Sequence, residues 1–374
     1  MARGPWLALP ESSVPSSVFD PISIGKWESR NRLVVAPMTT YSSQPDGVIS
    51  ADEIPYLARR AAGGFGIVMT AACCVHPRGK AFDGQWACWG DSFIASLRSV
   101  ASAIKAEGAL AVLQIHHGGR SCPSRLCGDP PLSASAIPHD RPGAETPKAM
   151  TDDEIEDAIY AFGQAAERAV HAGFDGIEIH GANTYLLQQF VSPHSNRRED
   201  AWGQNRLLFS ERIIDEVLTQ ADGKAFVGYR FSPEEIEEPG IRWSDTAALL
   251  DLLCSTKLDF VHASLWDHQM KGLKGDAPEP TLVQIAKYVA GRKPLIGVGK
   301  VTSSEDADRC MEFGADMVAV GRAALTQPNF PEAIKNGEPV RTTIPKTGAG
   351  ELFTWPKGLE EKAYTVPNWF KIED

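Results

Sequence analysis

Short runs of β-branched and aliphatic residues alternate with amphipathic stretches eight times along this chain. The strand-like runs are Leu33–Met38, Gly66–Thr70, Leu110–Ile115, Gly176–His180, Phe226–Phe231, Phe260–Ala263, Leu295–Val298 and Met317–Val320. Several are apolar at nearly every position, which suits parallel strands covered on both faces. The intervening stretches carry helix-start signals. Ser50 with Glu53 and Thr151 with Glu154 both read as capping boxes, in which a hydroxyl and a carboxylate satisfy orphan amides. After the second box, Ile155, Ala158, Ile159, Phe162, Ala165, Ala166, Ala169 and Val170 recur every three or four residues, and Gly173 ends the pattern. Ser303 to Phe313, closed by Gly314, repeats it on a smaller scale.

Strand and helix in this alternation predict βαβ units and a parallel sheet. Eight strands favour a closed (β/α)8 barrel. An open dinucleotide-binding sheet needs a Gly-x-Gly-x-x-Gly turn after its first strand, whereas this chain has Ala36-Pro37-Met38-Thr39 there. We therefore read residues 1–374 as one barrel domain, with a core from about 19 to 337 and a tail from 338 to 374. Three regions fall outside the repeat. Residues 1–32 are expected to lead in and cover the bottom. The Pro-, Gly- and Ser-rich stretch from Ser121 to Met150 is too long for a plain connection and should be a structured loop over the mouth. The tail aromatics Trp355, Tyr364, Trp369 and Phe370 should dock on the barrel or on a partner subunit, which makes a homodimer an option.

The bulk numbers narrow the partners. Of 374 residues, 43% are hydrophobic and 23% charged, so a sizeable core forms without disulfide or metal staples. The net charge of −11 disfavours phosphate backbones, so no nucleic-acid partner is expected. Seven irregularly spaced cysteines suit free thiols in a reducing, cytoplasmic setting. Cys122 and Cys127 lie downstream of His116 and His117 but lack a second close pair, so ordinary loop cysteines are expected and no metal. No apolar run of about 20 residues exists, and the N-terminus, broken by Pro5, Pro10 and Pro15, does not read as a signal peptide; no membrane partner is expected.

In such barrels chemistry gathers where strands end. Gly299-Lys300 closes the seventh strand run and Gly321-Arg322 the eighth. Glycines there let amides approach an anion, and Arg322 adds a charge-assisted fork, so the pair reads as a phosphate site. Gln114 offers a donor and an acceptor in one amide, and Thr39 a hydroxyl. Arg230 ends an otherwise hydrophobic strand and needs an anionic or strongly polar partner: a flavin edge that becomes negative on reduction, or an internal carboxylate such as Glu178. Beyond the fourth run, His180 and Asn183 can both donate to one oxygen, and Tyr185, protonated at neutral pH, can serve as a general acid.

These residues resemble the Old Yellow Enzyme family of FMN-dependent ene-reductases (NADH:flavin oxidoreductases). The likeness runs from about Phe19 to Phe330. Its text is Phe19 to Gly25 with Asn31-Arg32, Ala36 to Tyr41, Gln114 to Arg120, Ile177 to Leu186, and Gln189 to Arg197. The resemblance implies that Pro37, Met38 and Thr39 line the flavin, that Ala72 offers backbone contacts, and that Gln114 binds the pyrimidine edge. It puts Arg230 beside N1 and the phosphate at Gly299, Lys300, Gly321 and Arg322. It assigns the substrate oxygen to His180 and Asn183, the proton to Tyr185, and a border of the substrate to Tyr41. The implied reaction has NADPH or NADH reduce FMN. Hydride then passes to the β-carbon of an α,β-unsaturated carbonyl compound, a small molecule, and Tyr185 protonates the α-carbon.

The chain departs from the pattern in three places. Many bacterial relatives carry Cys where Thr39 stands. The connection at Gly203-Gln204-Asn205-Arg206 is shorter, which bears on the mouth and on substrate range. The tail has no iron–sulfur cysteine cluster. Two rival readings are a tRNA dihydrouridine synthase, which would want a basic surface and a cysteine acid, and an FMN-binding barrel acting as a non-catalytic sensor or subunit.

Overall fold

The computed structural model describes residues 17–275 and 277–373. The proline-interrupted N-terminal stretch lies outside the described residues. All eight strand runs form strands: β1 (Leu33–Val35), β2 (Ile67–Met69), β3 (Leu110–His116), β4 (Gly176–Gly181), β5 (Phe226–Phe231), β6 (Phe260–Ala263), β7 (Leu295–Val298) and β8 (Met317–Val320). Each pairs in parallel with its chain neighbours, and β8 pairs with β1, so the sheet closes into a (β/α)8 barrel. The first run is shorter than its apolar length, because Pro37 has no amide to continue the ladder.

Helix starts follow the chemistry of their caps. Thr151 and Glu154 form both halves of a capping box at the head of the helix Asp152–Ala172, which Gly173 ends at φ +90°. The expected stripe from Ile155 to Val170 is buried except for the half-buried Val170, while Tyr160 on the other face is exposed. Ser303 caps Ser304–Glu312 through the Asp306 amide. The Ser50 expectation needs correction. The helix begins at Glu53 with Asp52 at its cap, and no side chain caps it. The Glu53 carboxylate does return to the Ser50 amide at 2.9 Å, but it also takes the Trp86 indole at 2.6 Å and the Thr40 hydroxyl. Glu53 is fully buried, so it acts as a hub beneath the β1 loop rather than as a surface cap.

Inside the barrel, the lower level is apolar: Phe226 and Phe260 meet at 6.1 Å among Val34, Ile67, Val112 and Met317. A hairpin of Ile22–Ile24 and Trp27–Ser29 covers this end, with Trp27 edge-on to Phe226 at 5.4 Å. That is the cover expected of the lead-in residues. The Ser121–Met150 segment is structured too, with a turn of helix at Ser124–Cys127 and a ladder of Leu132–Ser133 with Lys148–Ala149.

The tail docks on its own barrel. Trp355 is buried and donates to the Leu325 carbonyl at 3.0 Å, while Phe370 packs on both Trp355 and Trp369. Thr343–Ile344 pairs with Lys371–Ile372, and Arg341 grips the Glu373 carboxylate at 2.7 and 2.8 Å. Among the described residues, no helix is long and apolar enough to cross a membrane.

Candidate active site

A cavity of about 550 Å³ opens at the C-terminal ends of the strands, within the range of small-molecule sites. Pro37, Met38 and Thr39 form one wall, and Gly299, Lys300, Gly321 and Arg322 close one end. Arg230 and Asn183 also line it, as does Tyr41. The strand-end residues thus meet around one space although they span most of the chain.

The glycine end is shaped for an anion. Gly299 at φ +128° has the Asp267 backbone 2.7 Å from where a Cβ would stand, and Lys300 follows at φ +49°. The Lys300 ammonium is held by Asp267 at 2.9 Å, so the main chain of this turn is what it offers a ligand. Gly321 differs. A Cβ there would meet nothing nearer than the Met38 sulfur at 3.9 Å, so no neighbouring atom excludes a side chain. Arg322 begins the next helix with its side chain exposed.

Arg230 is buried, and its Nε has no hydrogen-bond partner among the described residues. One Nη donates to the Ser264 hydroxyl at 3.2 Å. Burial lowers its pKa from the usual guanidinium value, with Glu178 opposing. The internal Arg230–Glu178 ion pair considered from sequence does not form. Glu178 instead binds the Gln114 amide and His262 Nδ1, each at 2.6 Å.

An orphaned buried cation, a glycine with open space before it and a turn of free backbone are what FMN requires. FMN carries a phosphate at one end and a ring edge that turns anionic on reduction at the other. The residues present therefore fit the cofactor. Two residues expected at it are not on the cavity wall. The Ala72 carbonyl already accepts from Gln85 at 3.2 Å, and Gln114 turns its amide to Glu178.

His180 near the end of β4 is followed in the next loop by Asn183 and Tyr185. Asn183 and Thr184 both sit at positive φ, +56° and +65°, which is strained for a β-branched threonine. The Ser232 hydroxyl accepts from the Asn183 amide at 2.9 Å, Gln188 accepts from the Thr184 amide at 2.8 Å, and Gln189 donates to the Thr184 carbonyl at 2.7 Å. These clamps hold the strain. The Ser264 hydroxyl donates to Asn183 Oδ1 at 3.0 Å, which leaves the Asn183 NH₂ as the free end of the amide.

His180 is buried, and its Nδ1 accepts from the Ala182 amide at 3.2 Å. Burial, with His116 and Arg230 nearby, holds its pKa well below the imidazole value, so the ring is neutral and its proton resides on Nε2. Tyr185 packs edge-on against His116 at 4.3 Å and His180 at 5.1 Å. Burial pushes its pKa up to about 12. Its hydroxyl has no hydrogen-bond partner among the described residues. Tyr185 lines a second cavity, of about 440 Å³, whose outer wall is Ser121, His139 and Arg141 of the mouth loop. Asn183 borders both cavities, so the two meet at this residue.

The sequence pointed to no role at the site for Ser232, Ser264, His262 or Trp369. The serines stand just beyond strands β5 and β6, a signal available in the strand ends; Trp369 reaches the cavity wall only through the fold of the tail. The clasp of Gln188 and Gln189 had no sequence signal beyond their place in the motif.

The model of the NADH:flavin oxidoreductase / NADH oxidase family matches residues 17–341. A probable NADH-dependent flavin oxidoreductase of Bacillus subtilis, YqiG, is 42% identical over 353 residues, covering 92% of this chain and 94% of that protein. The NADH:fumarate oxidoreductase of Klebsiella pneumoniae is 41% identical over 334 residues, 86% of this chain, but the match spans only 36% of that longer protein. The solved Old Yellow Enzyme homologue from Zymomonas mobilis superposes with a TM-score of 0.79 at 25% identity, covering 92% of this chain and 99% of that one. With its barrel, its anion-shaped turn and its orphaned arginine in place, this chain belongs to the NADH:flavin oxidoreductase / NADH oxidase family of FMN-dependent oxidoreductases.

Proposed function

We propose that the protein is an ene-reductase: NADH or NADPH reduces its FMN, and an α,β-unsaturated carbonyl compound is then reduced at the same site. The observation that carries this reading is a pair of donors left without partners among the described residues. His180 accepts at Nδ1 and Asn183 accepts at Oδ1, so Nε2–H of the first and the NH₂ of the second remain for a ligand oxygen. Two donors converging on a carbonyl oxygen polarise it and make the conjugated β-carbon electrophilic. Because His180 is neutral, it polarises the oxygen as a hydrogen-bond donor and not as a cation.

Bound FMN supplies the hydride, delivered to the β-carbon. Protonation of the α-carbon falls to Tyr185, whose hydroxyl has no hydrogen-bond partner among the described residues and whose raised pKa keeps it protonated. Pro37, Met38, Thr39 and Arg230 are assigned to the flavin ring, and Gly299, Lys300, Gly321 and Arg322 to the phosphate. Tyr41 borders the substrate. The name of the Klebsiella relative supports the substrate class, since fumarate is an alkene conjugated to carboxyl groups.

Purified protein reduced by NADH without oxygen and then mixed with cyclohexenone or fumarate tests the reading. Flavin reoxidation with stoichiometric alkene loss is expected. A flavin that NADH reduces but no activated alkene reoxidises would refute it.

A further inference from the structure

Above the apolar floor of the barrel lies a polar level made of Gln114, Glu178, Arg230 and His262, all buried. The β-register explains how they meet. Arg230 on β5 stands opposite His180 on β4 and His262 on β6, while Glu178 stands opposite Gly228. Gly228 presents no side chain, and a Cβ there would lie 2.1 Å from the Phe260 ring. Glu178 therefore reaches past β5 to His262 on the far strand, at 2.6 Å. The fit leaves Glu178 satisfied by two donors in a place with no exposure to water.

Charge at this level is unbalanced without the carboxylate. Burial alone would raise the Glu178 pKa, but His262, Arg230 and the Gln114 amide outweigh it and leave the group ionised. Burial holds His262 below the usual imidazole value against the pull of Glu178. The set then carries one anion, on Glu178, and one cation, on Arg230. They do not touch, yet each lies within the other's field. Arg230 is the member that lines the cofactor cavity.

We propose that Glu178, pinned by His262 and Gln114, is a positioning residue that offsets the Arg230 cation and so sets how strongly the cavity favours reduced over oxidised flavin. The inference rests on the reading that FMN occupies this cavity. Reduction adds negative charge to the flavin; Arg230 favours that charge and Glu178 opposes it. Removing the carboxylate charge therefore raises the flavin potential.

The test is Glu178→Gln, measured on the holoprotein by dye-coupled reductive titration together with the dissociation constant of oxidised FMN. The substitution keeps shape and removes the charge; one oxygen still accepts from His262, and Gln114 can turn its amide oxygen toward the new NH₂. Preference for reduced over oxidised FMN is expected to rise roughly tenfold, the size of one charge removed in a medium of intermediate dielectric. An unchanged or lowered preference overturns the proposal. His262→Gln retains a donor and leaves the Glu178 charge in place, so its preference should stay within about threefold of the parent. A shift as large as that expected for Glu178→Gln would put the controlling charge on the imidazole and overturn the proposal. If Glu178→Gln does not fold, His262→Gln decides alone. Failure of the unsubstituted protein to take up FMN refutes the proposed function itself, and this inference with it.

Discussion

Replacing Tyr185 by Phe removes one hydroxyl and little else. The ring sits between His116 at 4.3 Å and His180 at 5.1 Å, contacts that phenylalanine retains. No donor or acceptor among the described residues is bonded to the hydroxyl, so no partner is orphaned and stability should change by less than about 0.5 kcal/mol. A positioned general acid contributes about 10²- to 10⁴-fold. Reoxidation of the flavin by an enone should therefore slow at least about 100-fold, while its reduction by NADH stays within about threefold of the parent. Stopped-flow absorbance of the flavin, with the two half-reactions run separately in the absence of oxygen, measures both. The pH dependence has a definite sign. Burial raises the Tyr185 pKa to about 12, so the acid stays loaded through the neutral range and is lost only as pH rises through that value. Equal slowing of both half-reactions would refute the assignment, and a loss of activity near neutrality that disappears in Tyr185→Phe would refute the raised pKa.

Arg230→Ala should release FMN, with a dissociation constant at least about tenfold higher, because it removes the cation on the cavity wall and leaves Glu178 without its counter-charge; fluorescence of flavin in the filtrate measures it. Gly321→Ala should weaken FMN by at least about tenfold while the apoprotein melts within a few degrees of the parent, since the protein leaves a Cβ 3.9 Å of room and only a ligand would meet it. Unchanged affinity would show that the glycine is there for the turn. Gly228→Ala should be the reverse case, because its Cβ would stand 2.1 Å from the Phe260 ring; overpacking of about 1–3 kcal/mol should appear in thermal unfolding of the apoprotein.

Much of the architecture was legible because it is written in short-range patterns. Each β-strand is covered on both faces, so it must be apolar at most positions, and each helix needs a stripe and a cap. Thr151, Gly173 and Ser303 did what their local chemistry predicts. Ser50 did not, because Glu53 found Trp86 and Thr40 in the folded chain and was drawn into the interior. Strand-end residues were legible as a set, since in a closed barrel every strand delivers its last residue to one face.

Their hydrogen-bond states were not legible. Which end of the Asn183 amide is free depends on Ser264, 81 residues away, and the His180 proton sits on Nε2 because of the fold of the following turn. Arg230 reads in sequence as a candidate partner for Glu178, but register gave that carboxylate to His262 and left the arginine facing the cavity. For His180, Asn183 and Tyr185, then, the sequence by itself determined the residue types and the face of the barrel they share. Only the tertiary structure decided which of their atoms remain free to act, because hydrogen-bond partners are assigned by neighbours in space.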